Sequence, residues 1–153
     1  MHGTWLIEVG QKAGLPDAAG AGLEKSCKSA GFKGVRQVAV AQLYRLVGNL
    51  TPEQREKLMR DLLADPIIQV PRDGALRASG ATTVDVCFKA GVTDVVGETV
   101  MKGIRDLGVE TISEVRTGMR YRFPGVKQAE LGRKVALAFL ANPLIQDVFI
   151  YVD

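Results

Sequence analysis

The chain has 153 residues, of which 46% are hydrophobic and 24% charged, with a net charge of +3. This is ordinary globular composition with room for one domain or two small ones, and it excludes a disordered, collagen-like or disulfide-dense protein. No stretch approaches the ~18 to 20 uninterrupted apolar residues of a membrane span, and the start of the chain lacks the pattern of a signal peptide, so a cytoplasmic location with no membrane partner is expected.

Taken in chain order, residues 4–11 read as an opening strand and 17–30 as a helix with Leu23 and Cys27 on its apolar side. Residues 35–40 and 42–47 read as a hairpin. Thr51 caps a second helix that begins at Pro52 and turns Leu58, Met59, Leu62 and Leu63 inward. A strand near 67–70 is expected to be cut short by Pro71, and 71–82, rich in small and turn-forming residues, reads as a linker. Val84, Val86 and Phe88 then alternate with Asp85 and Cys87 as a strand with one buried face. Asp94 caps a helix carrying Val96, Val100, Ile104 and Leu107, which Gly108 ends. Residues 112–117 and 119–123 read as two strands meeting at Thr117-Gly118. A helix over 127–141 places Leu131, Val135, Ala138 and Phe139 on one face and stops at Pro143, before a last strand over 147–152.

The second series repeats the first. An offset of 77 residues aligns 7–69 with 84–146 without a gap, with about nineteen identities. They include Lys12-Ala13-Gly14 with Lys89-Ala90-Gly91, Asp17 with Asp94, Gly20 with Gly97, Tyr44-Arg45 with Tyr121-Arg122, and Pro66 with Pro143. Glycines and prolines held in register point to a duplicated unit. The expected fold class is α+β: two tandem βαββαβ, ferredoxin-like units, each a four-stranded antiparallel sheet with two helices on one face. The boundaries are 1–70 for the first repeat, 71–82 for the linker and 83–153 for the second repeat. Each unit leaves a sheet face uncovered, and strands such as 147–152 are apolar on both sides, so the repeats are expected to pack on one another and on further copies.

Residues suited to chemistry are sparse. His2 is the single histidine, and Cys27 and Cys87, whose repeat partners are Ile104 and Gly10, have no evident base. No cluster of metal-ligand spacing and no phosphate-loop glycine pattern occurs, so no catalytic residue, cofactor or metal is expected. Gly14 and Gly91 suit a tight turn, while Gly20 and Gly97 suit close approach of helix to sheet. Basic residues form no stripe along the sequence, and no aromatic RNA-binding octamer is present, so no nucleic-acid partner is expected.

The second half resembles the PurS family, the small component of phosphoribosylformylglycinamidine synthase. The motifs are Phe88-Lys89-Ala90-Gly91-Val92, Asp94, Gly97, Val115-Arg116, Gly118 and Ala141-Asn142-Pro143. The first copy has diverged, with Gln11 in place of the Phe and with Ala39 and Ala41 in place of Arg116 and Gly118. The resemblance implies a non-catalytic bracket that holds the glutaminase PurQ against the ATP-using synthetase PurL while ammonia passes between them. The complex converts formylglycinamide ribonucleotide, glutamine and ATP into formylglycinamidine ribonucleotide, glutamate, ADP and phosphate. The chain would then be a subunit or N-terminal domain of a C–N ligase. Partner-facing candidates are Lys89, Arg116, Gly118, Tyr121 and Arg122, with Tyr44 and Arg45 in the first copy. The rival reading of two βαββαβ units is an ACT-like regulatory module that binds a small molecule.

Overall fold

The computed structural model describes residues 3–75 and 80–152. Strand β1 (Gly3–Gln11) leads to helix α1 (Ala18–Ser29), strand β2 (Ala39–Gly48) and helix α2 (Pro52–Leu58), which a π-helical turn (Met59–Leu63) extends before strand β3 (Gln69–Asp73). The series then recurs as β4 (Ala81–Phe88), α3 (Val95–Asp106), β5 (Ile112–Pro124), α4 (Ala129–Val135) with its π-helical turn (Ala136–Leu140), and β6 (Gln146–Val152). The six strands form one antiparallel sheet in the order β3-β1-β2-β5-β4-β6. His2 and residues 76–79 of the expected linker lie outside the described residues.

The α+β class holds, and three expected details change. First, there is no hairpin at Thr117-Gly118: β5 runs unbroken through it, and β2 likewise runs through Ala41. A two-residue hairpin needs positive φ, and Gly118 is not among the positive-φ glycines. Gly118 instead allows strands to approach closely, since a Cβ there would lie 2.7 Å from both Cys87 Sγ and Val86 O. Secondly, two separate four-stranded sheets give way to the single six-stranded one. Thirdly, β3 continues through Pro71, and the linker loses its first residues to β3 and its last to β4.

Two compact units are present, each drawn from both halves of the sequence. The first comprises Met1–Leu15, Gln42–Leu76 and Thr93–Thr117. Its core joins Ile7, Val9, Leu46, Leu58 and Leu63 to Val100, Ile104, Val109, Ile112 and Val115. A Cβ on Gly103 of α3 would lie 2.6 Å from Leu62, and Lys57 Nζ donates to Leu107 O at 3.4 Å. The second unit comprises Pro16–Ala41, Arg77–Val92 and Gly118–Asp153. There Cys27 and Val38 pack with Val84, Val86, Phe123, Val126, Val135 and Ala136, and Phe32 meets Phe139 edge to face at 5.9 Å. Each unit thus takes a helix from the half of the sequence that supplies fewer of its strands: α3 in the first, α1 in the second.

Local structure recurs 77 residues on. Lys12 N–H donates to Ile68 O at 3.0 Å, and Lys89 N–H to Ile145 O at 2.9 Å. Asp65 N–H donates to Gln69 Oε1 at 2.8 Å, and Asn142 N–H to Gln146 Oε1 at 2.8 Å. Asp17 caps α1 by accepting from Gly20 N–H, and Asp94 caps α3 by accepting from Gly97 N–H. The glycine at each cap is obligatory, because a Cβ would stand 2.2 Å from Val38 O at Gly20 and 2.6 Å from Val115 O at Gly97. The helix faces deviate from simple 3.6-residue spacing. Val96 is exposed, and the π-helical turn rotates Ala138 and Phe139 outward while Gly132, Val135 and Ala136 face the core.

Candidate interaction surfaces

The sequence-derived candidates do not converge on one site. Lys89, Gly118, Tyr121 and Arg122 fall in the second unit, and Tyr44, Arg45 and Arg116 in the first. Lys89 follows β4 and pairs with Asp147 at 3.2 Å, both partly exposed. Gly118 is buried opposite Cys87 in the β4–β5 register. Tyr121 and Tyr44 turn toward the helices and pack on the cores of their own units. Burial raises the pKa of both phenols. The cations alternate to the other face, where Arg45 is exposed and Arg116 and Arg122 are half-buried.

A buried ion pair that the sequence reading missed joins Asp85 and Arg120, which face each other in the β4–β5 register. Arg120 Nε and Nη2 each donate to a different carboxylate oxygen at 2.8 Å, a two-pronged fit. In the first unit the corresponding positions are Glu8 and Leu43, both buried. These side chains point away from the helices, so the helix-free face is buried at its centre in each unit. The available signal was a lone carboxylate inside an apolar strand at Asp85, opposite the alternating MRYRF run.

Two further surface features went unread. Lys25, Lys28, Lys33 and Arg36 line a concavity of about 700 Å³ in the second unit. The one carboxylate lining it, Glu24, is engaged by Val38 N–H at 2.9 Å. The cations are spread over twelve residues of sequence and are gathered by α1 and the loop after it. The second feature is a pair of rigid turns that hold apolar side chains in solvent. Ile67 is 78% exposed and Leu144 84% exposed. Each lies two residues after a side chain that accepts its N–H, Asp65 at 2.9 Å and Asn142 at 3.1 Å.

Of the two thiols, Cys27 is buried and its pKa is raised by desolvation, which disfavours the nucleophilic thiolate. Among the described residues no three His, Cys, Asp or Glu side chains come together as metal ligands. Among the described residues no helix is long and apolar enough to cross a membrane.

Residues 81–153 match the family model described as PurS: Phosphoribosylformylglycinamidine (FGAM) synthase. No curated protein matches the chain. Residues 81–153 are therefore similar to the PurS family, which points to FGAM synthase and purine biosynthesis.

Proposed function

We propose that the protein is a cytoplasmic, non-catalytic structural component of the phosphoribosylformylglycinamidine synthase complex, bridging the glutaminase PurQ and the synthetase PurL and supporting ammonia transfer between them. The observation that carries this reading is the PurS family match over residues 81–153. In this reading the chain is two PurS-like copies joined covalently. The shared register of helices, π-helical turns, caps and turn hydrogen bonds 77 residues apart supports that, since unrelated segments would not reproduce it. Covalent joining sets the effective concentration of one copy for the other in the ~mM range, so the pair need not assemble from separate chains.

The partner contacts fall to Lys89, Arg116, Arg122 and Arg45 around the helix-free face, with Gly118, Tyr121 and Tyr44 fixing the strands that present them. Cationic groups at the rim of an interface set partner choice and encounter rate. The test is reconstitution with the glutaminase and synthetase parts. Formylglycinamidine ribonucleotide formation from glutamine should require this chain, whereas formation from added ammonium should not. Equal glutamine-dependent turnover with and without the chain would overturn the reading. Arg116→Ala should weaken complex formation by about tenfold without a comparable loss of folding stability.

A further inference from the structure

A hollow of about 560 Å³ in the first unit runs along α2 and its π-helical turn, beside the end of β1 and the start of β3. That is the size of a small-molecule site. Pro52, Met59, Pro66 and Pro71 give it an apolar lining in which the prolines offer no N–H donor. Three cations, Lys12, Arg55 and Arg60, and one carboxylate, Glu56, complete its charged lining. Arg60 is engaged by Asp61 at 2.9 Å.

The other two cations have no anion of their own. The Arg55 guanidinium stacks over Trp5 at 5.4 Å, makes no hydrogen bond among the described residues, and keeps its Nε buried. A buried donor without an acceptor is unfavourable until an acceptor arrives. For Lys12 the second half of the chain supplies a direct comparison. Lys12 N–H bonds to Ile68 O at 3.0 Å as Lys89 N–H bonds to Ile145 O at 2.9 Å, and Gly10 pairs with Val70 as Cys87 pairs with Asp147. Lys89 thereby has the Asp147 carboxylate at 3.2 Å, whereas Lys12 has Val70 in that place and no ion-pair partner among the described residues. Arg55 in turn stands where the second half has Gly132. Relative to its counterpart, this place lacks a carboxylate and carries an additional guanidinium.

We propose that the hollow binds a small organic carboxylate with an apolar body, its charged end held by Lys12 and Arg55. The ligand's carboxylate takes the place beside Lys12 that Asp147 holds beside Lys89, and accepts from the guanidinium, whose donors match a carboxylate in geometry. Its body covers Met59 and the three prolines, where a polar chain would find few hydrogen-bond partners. Glu56 on the wall opposes a second negative charge, which favours a monoanion over a phosphate dianion. All of these residues belong to the first unit, so the site is complete within it.

The experiment titrates the full chain with sodium octanoate at fixed ionic strength and reads the emission of Trp5, on which Arg55 is stacked. Octanoate should bind saturably and at least about tenfold more tightly than acetate, which leaves the apolar lining uncovered. Octanol, which lacks the charge, and inorganic phosphate, which lacks the body, should each bind at least about tenfold more weakly than octanoate. Lys12→Gln and Arg55→Gln should each raise the octanoate dissociation constant about ten- to a hundredfold, measured by calorimetry because replacing Arg55 itself alters Trp5. Val70→Asp copies Asp147, gives Lys12 an internal carboxylate, and should weaken binding by a similar factor with unchanged circular dichroism. Should Val70→Asp fail to fold, Lys12→Gln on its exposed side chain carries the same test. Lys33→Gln, in the second unit, should leave binding unchanged. Absence of saturable octanoate binding up to about 10 mM overturns the proposal. Octanol or phosphate binding as tightly as octanoate overturns it too, as does undiminished binding by the folded site variants or an equal loss in Lys33→Gln.

Discussion

Asp85 on β4 and Arg120 on β5 hold each other through two hydrogen bonds of 2.8 Å, and Arg120 is only 1% exposed. A buried pair contributes little relative to well-packed apolar residues, because desolvating both charges offsets their attraction. Removing one partner is another matter, since it strands the other.

Asp85→Ala or Arg120→Ala alone should therefore cost about 3–5 kcal/mol of stability. Asp85→Ala combined with Arg120→Ala should cost clearly less than the sum of the single changes, because neither charge is then left buried alone. Urea unfolding of the four proteins completes the cycle, and additivity within about 0.5 kcal/mol would show the two side chains to be uncoupled.

Ile104 belongs to the second half of the sequence but packs with Ile7, Leu46 and Leu58, against which Trp5 also lies. Ile104→Ala should cost about 2–5 kcal/mol and shift the emission of Trp5, the only tryptophan. Truncation of Val135, buried in the other core, should destabilise the chain with little change in native Trp5 emission. If the two variants affect that emission equally, the assignment of α3 to the first unit is wrong.

Two helix glycines, Gly97 in α3 and Gly22 in α1, make opposite predictions. A Cβ at Gly97 meets Val115 O at 2.6 Å, so Gly97→Ala should destabilise by roughly 1–3 kcal/mol through overpacking. Gly22 is exposed with nothing within 4 Å of a built Cβ. Gly22→Ala should raise stability by about 0.5–1 kcal/mol. Thermal melts suffice to read both signs.

The raised pKa values of Tyr44 and Tyr121 give an alkaline instability. Above about pH 10 the unfolded phenols lose their protons first, so the unfolded state binds fewer protons and stability falls with rising pH until the folded phenols also ionise. Tyr44→Phe and Tyr121→Phe should each flatten the decline in unfolding free energy between pH 9 and 11, a window set by the ordinary phenol pKa of about 10. An unchanged slope in both would show that burial does not hold these phenols neutral.

Element order was legible because its signals are local. Asp17 and Asp94 cap α1 and α3, Thr51 and Gln54 form a capping box at α2, and residue alternation marks β4. What was not legible is non-local. Thr117-Gly118 satisfies a hairpin pattern by composition, but the close approach of Cys87 decides for a continuous strand. Once β2 and β5 run straight, each carries the chain from one compact unit into the other, and the helices are shared out accordingly. The cations lining the concavity were invisible for the same reason, since a loop and a helix face must both be placed before Lys25, Lys28, Lys33 and Arg36 share a surface.

The exchange of α1 and α3 between units bears on synthesis. The first unit includes Thr93–Thr117, so it cannot close while the ribosome has made only the first half of the chain. At ordinary elongation of about 5–20 residues per second, Ile7, Leu46 and Leu58 wait on the order of seconds for Val100 and Ile104 to emerge. During that interval the nascent polypeptide displays an unfinished core, which makes it a natural client for chaperones at the exit tunnel.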